Sequence, residues 1–130
     1  MAHTDVALRK AMLLFEGAIG MALVDAGNGT TLGTLGGSEE FDLTIAAAGN
    51  SELLRAKMRT MRMLGLAGTI EDILITTTSY YQLICPLKSS SSNDLFLYLA
   101  LDRKSANLAL ARHQLHLIEG QLNSGWGIRP

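Results

Sequence analysis

Residues that could bind a metal or transfer protons are few in this sequence, and the best candidate group lies near its C-terminus. His113 and His116 are three residues apart, and Glu119 follows three residues later. On a helix this spacing places the three side chains on one face, where imidazole and carboxylate groups could ligate a metal ion. The sequence has no His-Glu-x-x-His pattern, and no cysteine lies nearby. We therefore interpret this face as exposed to solvent and assign no metal ligand.

The other candidates for catalysis have simpler interpretations. Cys85 is the single cysteine, and its strand-like context favours a small buried apolar residue. Asp25 and Asp102 each end an apolar run and would form an acid–base pair only if their strands were adjacent. Otherwise Asp25 suits the mouth of a hairpin, and Asp102 suits the cap of the next helix.

No nucleotide or cofactor motif is present either. The glycine-rich stretch 27–37 has neither a Gly-x-Gly-x-x-Gly nor a P-loop pattern, and a hairpin explains it better. Because no acid, base and nucleophile form a recognisable group, we predict that the chain is not an enzyme and has no cofactor.

The composition indicates more apolar surface than a single small domain can bury. The chain has 130 residues, of which 48% are apolar and 18% are charged, whereas about 25% charged is usual. A domain of this size buries only about two thirds of its unfolded surface, so we expect a partner or a ligand to cover the excess. The net charge of −1 argues against a disordered chain and against a strongly basic nucleic-acid binder.

The sequence also bears on location and domain count. No apolar run approaches the ~20 residues that a membrane-spanning helix needs, and the N-terminus lacks the layout of a signal peptide. A single cysteine cannot form an internal disulfide, which favours the reducing cytoplasm. We expect one cytoplasmic domain over residues 1–123, with no membrane or nucleic-acid partner, and a flexible tail over residues 124–130.

Hydrophobic periodicity predicts eight elements in the order α-β-β-α-β-β-β-α. Asn28-Gly29 is a strong hairpin signal between the first two strands. Ser38, followed by two glutamates, is expected to open the long helix, and Gly49-Asn50 is a candidate break within it. The predicted helices cover residues 5–16, 41–66 and 104–122, and the predicted strands cover residues 18–25, 30–35, 70–79, 80–87 and 95–102.

These elements predict an α/β (α+β) fold in which helices cover both faces of one sheet. The connections within each strand group are short, so the five-stranded sheet should be mostly antiparallel. Strands 18–25 and 95–102 are apolar at nearly every position and should therefore be central, with helices on both sides of them. The result is a three-layer α/β/α sandwich, with strand 70–79 as a candidate edge.

The long helix carries one more apolar stripe than packing on a sheet requires. Leu43, Ala47, Leu54, Met58 and Met61 form the first stripe. A second stripe lies roughly 100° away on the helix, and its small residues would let another backbone approach. We predict a dimer interface at the second stripe and the neighbouring edge strand, the alternative being burial within the monomer. The predicted interface residues are Ala46, Gly49, Leu53, Ala56, Thr60, Met63, Ile73, Ile75 and Thr77.

The polar remainder of this helix is basic. Arg55, Arg59 and Arg62 are spaced by four and three residues and so share one face. The plainer interpretation is a solvated face, and the alternative is a docking surface for an acidic partner.

The pattern of elements resembles the roadblock/dynein light chain domain family over residues 5–123. The resemblance lies in the strand–hairpin–strand, the long helix after it, and the segments that follow. The segments are 22–33 (ALVDAGNGTTLG), 70–76 (IEDILIT), 81–87 (YQLICPL), 95–102 (LFLYLALD) and 107–112 (NLALAR).

This resemblance implies a profilin-like sandwich that dimerises through residues 41–66 and 70–78 and has no catalytic centre. Such domains serve as partners of small Ras-like GTPases, either as activators or as platforms, or as subunits of motor and lysosomal scaffolds. Stand-alone prokaryotic members look like regulators of a cognate GTPase, sometimes beside a sensor kinase.

The leading hypothesis is thus a homodimeric regulator or scaffold of a small GTPase, with Arg55, Arg59 and Arg62 as candidate contacts. Two alternatives stay open. The first is a small-ligand sensor, which a cavity lined by Met12, Met21 and Tyr98 would favour. The second is a structural adaptor with no effect on nucleotide turnover.

Overall fold

The computed structural model describes residues 9–10, 12–13, 15–88 and 94–123. Half of the predicted helix over residues 5–16 lies outside these residues; of its described positions, 9, 10 and 12 are helical. The predicted tail over residues 124–130 lies wholly outside them. The remaining elements follow the predicted order. They are β1 (Ala18–Asp25), β2 (Thr30–Gly36), α1 (Leu43–Met63), β3 (Ile73–Thr76), β4 (Tyr80–Pro86), β5 (Leu95–Asp102) and α2 (Leu108–Asn123).

The five strands form one antiparallel sheet in the spatial order β2-β1-β5-β4-β3. β5 lies at its centre and β1 beside it, as their uninterrupted apolar sequences predict. β2 and β3 are the two edges, which confirms the predicted edge position of the strand that follows the long helix.

Successive residues of β1 and β5 point to opposite faces of the sheet, so each strand contributes to two cores. On one face Met21, Leu23 and Leu99 pack with Leu115 and Ile118 of α2. On the other face the intervening residues of the same strands, among them Ala22 and Tyr98, pack with Leu43 and Leu54 of α1. The α/β/α sandwich is therefore confirmed.

The long helix begins later than predicted. Asp42 is its N-cap and accepts hydrogen bonds from the backbone of Thr44 (2.8 Å) and Ile45 (3.3 Å). Ser38 instead accepts a bond from the backbone N–H of Phe41 (3.0 Å) and so stabilises the turn before the helix. The sequence offers two good capping side chains four residues apart, and the predicted one belongs to the turn.

α1 runs without a break from Leu43 to Met63, so Gly49-Asn50 does not interrupt it. It ends in a Schellman motif. Gly65 has a φ of 69°, which returns the chain so that Leu66 donates to the carbonyl of Met61 (3.0 Å).

The last helix also begins later than predicted, at Leu108. Asn107 accepts a bond from the backbone of Leu110 (3.1 Å) and supplies the cap. Asp102, the predicted cap, accepts bonds from the Lys104 backbone (3.3 Å) and the Ser105 hydroxyl (3.1 Å) in the preceding turn. Within the described parts of the chain, no helix has both the length and the apolar character to cross a membrane.

Candidate interaction surface and a buried polar cluster

α1 packs on the sheet through a narrow stripe. Leu43, Ala47, Ser51 and Leu54 are its buried residues. The Ser51 hydroxyl donates to the carbonyl of Ala47 (2.6 Å), so this polar side chain is satisfied within the helix. The predicted first stripe is therefore correct for its first three members, while Met58 and Met61 are half-buried.

The second stripe of α1 is only partly covered. Ala46 and Leu53 are half-buried and pack against the core beneath the helix. Gly49 and Thr60 are exposed, and Met63 is 82% exposed. The described residues thus leave the predicted dimer face uncovered along its outer side.

Exposed apolar side chains cluster where α1 ends. Leu64 and Leu66 are 67% and 56% exposed. Beside them is a groove of about 270 Å³ between the end of the helix, the segment that follows it and the end of β4. Its apolar lining includes Met58, Met61, Ile70 and Leu87.

The neighbouring edge strand is shorter than predicted. β3 covers only Ile73–Thr76, and both Ile73 and Ile75 pack partly against the core. Thr77 lies beyond the strand, where its N–H donates to Tyr80 (2.9 Å) and its carbonyl accepts from Arg103 (2.8 Å). Both backbone groups of Thr77 are therefore used in the β3–β4 turn, and Thr77 cannot extend the sheet to another chain as predicted.

The three arginines of α1 have different surroundings. Arg55 donates hydrogen bonds to the carbonyls of Ala26 and Gly27, so it ties the helix to the β1–β2 turn. Arg59 is exposed, and Arg62 borders the groove at the helix end. Arg59 and Arg62 are therefore better placed to meet a partner than Arg55 is.

A polar cluster lies on the opposite face of the sheet, between the segment before β3 and α2. Asp72, whose side chain is 8% exposed, pairs with Arg112 and His116. Arg112 contacts both carboxylate oxygens, with Nε donating to Oδ2 at 3.0 Å, and His116 Nε2 lies 2.7 Å from Oδ2. Chiefly because of the hydrogen bonds from Arg112, the pKa of Asp72 lies below its usual 3.8, although burial opposes this.

Cys85 and Glu119 extend this cluster into the core. Cys85 is fully buried, as predicted, and its Sγ lies 3.7 Å from His116 Nδ1. Burial, together with the nearby carboxylates of Glu119 and Asp72, raises the pKa of the Cys85 thiol to about 12. A thiol so protonated is a poor nucleophile, which argues against a catalytic role.

The predicted solvent-exposed histidine face is only partly correct. His113 is exposed, but His116 is half-buried and Glu119 is 5% exposed. Donor atoms of Cys85, His116 and Glu119 all lie within 4.8 Å of one another, a group that could hold a metal ion. Sequence spacing could not reveal it, because Cys85 and Asp72 are 31 and 44 residues from His116. The one available signal was the i, i+3 pair His116 and Glu119 on the last helix.

The other sequence candidates are not brought together. β1 and β5 are adjacent but antiparallel, with Asp25 opposite Leu95, so Asp25 and Asp102 lie at opposite ends of the sheet. Asp25 accepts a bond from the backbone of Gly27 (2.8 Å) in the hairpin, as predicted. Met21 and Tyr98 are fully buried on opposite faces of the sheet, so they do not line one cavity with Met12, as the ligand-sensor alternative requires.

Comparison with known proteins supports the fold. No family model matches the sequence, and no curated protein matches it. Solved structures do match. The roadblock/LC7 domain from Streptomyces avermitilis has a TM-score of 0.77 at 12% identity, covering 93% of this chain and 95% of that one. MglB of Myxococcus xanthus has a TM-score of 0.73 at 18% identity, covering 95% and 90%.

A third similar structure is described as MglB with a tetrameric arrangement, with a TM-score of 0.74 at 14% identity and coverage of 93% and 85%. All three likenesses extend over nearly the whole of both chains. They agree with the strand order and the two-sided helix packing found here. The chain therefore has the fold of the roadblock/LC7 domains.

Proposed function

We propose that this chain is a cytoplasmic, homodimeric regulator or scaffold partner of a small Ras-like GTPase, with no catalytic centre of its own. The observation that carries the proposal is the roadblock fold, in which the described residues leave the outer side of the long helix and the free edge of β3 uncovered. In this fold family those two elements are the expected dimer surface, and GTPases are the expected partners. A buried free thiol fits a reducing compartment.

The dimer rests on the exposed side of α1 and on the edge strand beside it. Met63, Leu64 and Leu66 present apolar surface that a second copy would bury, and the small residues at Ala46 and Gly49 would allow close helix approach. An uncovered edge strand favours pairing with another chain. An MglB structure with similar topology is itself an assembly of several chains.

Sedimentation at micromolar concentration tests this assembly directly. The expected mass is twice the 14.0 kDa of one chain. A monomer at all micromolar concentrations would refute the homodimer.

The GTPase contact is assigned to Arg59 and Arg62, which extend outward on one side of the second stripe. The test measures binding to the small Ras-like GTPases of the same genome, and their GTP hydrolysis with and without the protein. Arg59→Glu and Arg62→Glu should weaken binding. Lys57→Glu is the matched control, because Lys57 is exposed on the same helix but points roughly 160° away from Arg59 at 100° per residue.

Altered hydrolysis would establish a regulator, and binding without a change in hydrolysis would select the adaptor role. Absence of both would refute the proposal. Equal loss of binding in Lys57→Glu would show that charge in general, rather than the Arg59 and Arg62 side, mediates the contact.

A further inference from the structure

The cluster at Cys85, His116 and Glu119 plays no part in the proposed GTPase regulation. It joins β4 of the sheet to α2, and its thiol, imidazole and carboxylate all point to one place. We propose that these three side chains form a binding site for a transition-metal ion, with Zn²⁺ as the best-suited ion.

The spacing of the donors fits tetrahedral coordination. Zn²⁺ binds sulfur at about 2.3 Å and imidazole nitrogen at about 2.0–2.1 Å, so two such ligands lie about 3.6 Å apart around a tetrahedral ion. Cys85 Sγ and His116 Nδ1 are 3.7 Å apart. The carboxylate of Glu119 lies within 4.8 Å of both, so a small side-chain rotation completes the set.

The histidine is already oriented for this task. The Asp72 carboxylate can only accept a hydrogen bond, so the His116 nitrogen 2.7 Å from it, Nε2, carries the proton. In that tautomer Nδ1, which lies 3.7 Å from Cys85 Sγ, is the nitrogen that can bind a metal. A carboxylate that holds the far nitrogen of a ligating histidine is a recurrent feature of zinc sites, and Arg112 fixes that carboxylate in turn.

Glu119 provides the independent observation that points to a bound cation. The residue is 5% exposed, and Oε2 has no hydrogen-bond partner among the residues that the structure describes. Burying a carboxylate oxygen without a partner is costly. A cation at this position would satisfy it, and coordination would convert the Cys85 thiol to a thiolate by releasing one proton to water.

The experiment uses the full chain, stripped with a chelator and titrated with Zn²⁺ by calorimetry and with Co²⁺ by absorption spectroscopy. We expect one ion per chain and a thiolate-to-cobalt charge-transfer band. At free Zn²⁺ 100 times above the dissociation constant, the melting temperature should rise by about 10 °C.

Cys85→Ser and Glu119→Gln should each abolish the thermal shift, and Asp72→Asn should weaken binding by about 10–100-fold. His113→Gln is the matched control, because His113 lies one turn earlier on α2 and is exposed; it should bind like the unaltered chain. Circular dichroism verifies that each variant is folded, and Glu119→Gln keeps the shape of the side chain if Cys85→Ser does not fold. Absence of micromolar Zn²⁺ binding by the unaltered chain would overturn the proposal. So would unchanged binding in folded Glu119→Gln.

Discussion

Replacing Gly49 with alanine separates the stability of α1 from its role in an interface. Gly49 lies within the helix and is exposed, and a Cβ added there would meet no atom of the described residues within 4 Å. The substitution therefore creates no clash with the part of the chain that the structure describes. Glycine within a helix costs about 0.5–1 kcal/mol relative to alanine, so Gly49→Ala should raise the unfolding free energy of the monomer by this amount. The corresponding rise in melting temperature is about 2–5 °C.

In a dimer built on the second stripe the same methyl group has the opposite effect. There the glycine would face a second backbone, and each protomer would add one methyl to a close contact. Overpacking of this kind costs about 1–3 kcal/mol, which corresponds to a rise in the dimer dissociation constant of about 5- to 150-fold.

Gly120→Ala is the matched control for both effects. Gly120 is exposed within α2, and among the residues 9–10, 12–13, 15–88 and 94–123 its added Cβ would also meet nothing within 4 Å. It should stabilise the monomer as Gly49→Ala does and leave dimerisation unchanged. Denaturation at concentrations below the dissociation constant measures the first effect, and sedimentation over a concentration series measures the second. Equal dimer dissociation constants for the two variants would refute the assignment of the second stripe to the interface.

Three further predictions test the fold. Gly36→Ala should destabilise the chain by more than Gly29→Ala, whose cost is about 1 kcal/mol. Both glycines have positive φ, but only at Gly36 would an added Cβ lie 2.5 Å from a carbonyl oxygen, that of Ile19. Equal melting temperatures of the two variants would contradict this. Arg55→Met should lower the unfolding free energy by about 1 kcal/mol, since it removes the hydrogen bonds to the β1–β2 turn. A loss below about 0.5 kcal/mol, which is typical of surface positions, would show that these hydrogen bonds contribute little to stability. Burial raises the pKa of Tyr98 above its usual 10.0, so this tyrosine ionises first in the unfolded state as the pH rises past 10. Denaturation experiments above pH 10 should therefore show stability falling more steeply with pH in the unaltered chain than in Tyr98→Phe. Parallel pH profiles of the two proteins would contradict this.

The strands were predictable because the apolar content of each strand indicates how deeply it is buried in the sheet. β1 and β5 are apolar on both faces, and only a central strand between two helical layers buries both faces. The hairpin at Asn28-Gly29 was equally clear. Helix starts were harder, since Ser38 and Asp42 are both good caps and only the three-dimensional path of the chain decides between them.

The candidate sites depended on contacts that sequence spacing does not contain. The cluster around His116 unites residues from three separate segments, so the local pattern of His113, His116 and Glu119 suggested a solvated face. The same limit applies to Arg55, whose side chain reaches a turn 28 and 29 residues away. Periodicity identified the second stripe of α1, but the exposure of Gly49 and Met63 required the packed structure.

The central position of β5 has a consequence for how the chain folds. The β1–β2 and β3–β4 hairpins pair between neighbours in sequence, yet they meet each other only through β5. Pairing of β1 with β5 brings Met21 to Leu99, so a long loop must close before the two hairpins share a sheet, and such non-local contacts slow folding. During synthesis both hairpins and α1 leave the ribosome before the strand that joins them. The sheet is therefore completed late, and its inner edges stay exposed to other chains until β5 is available.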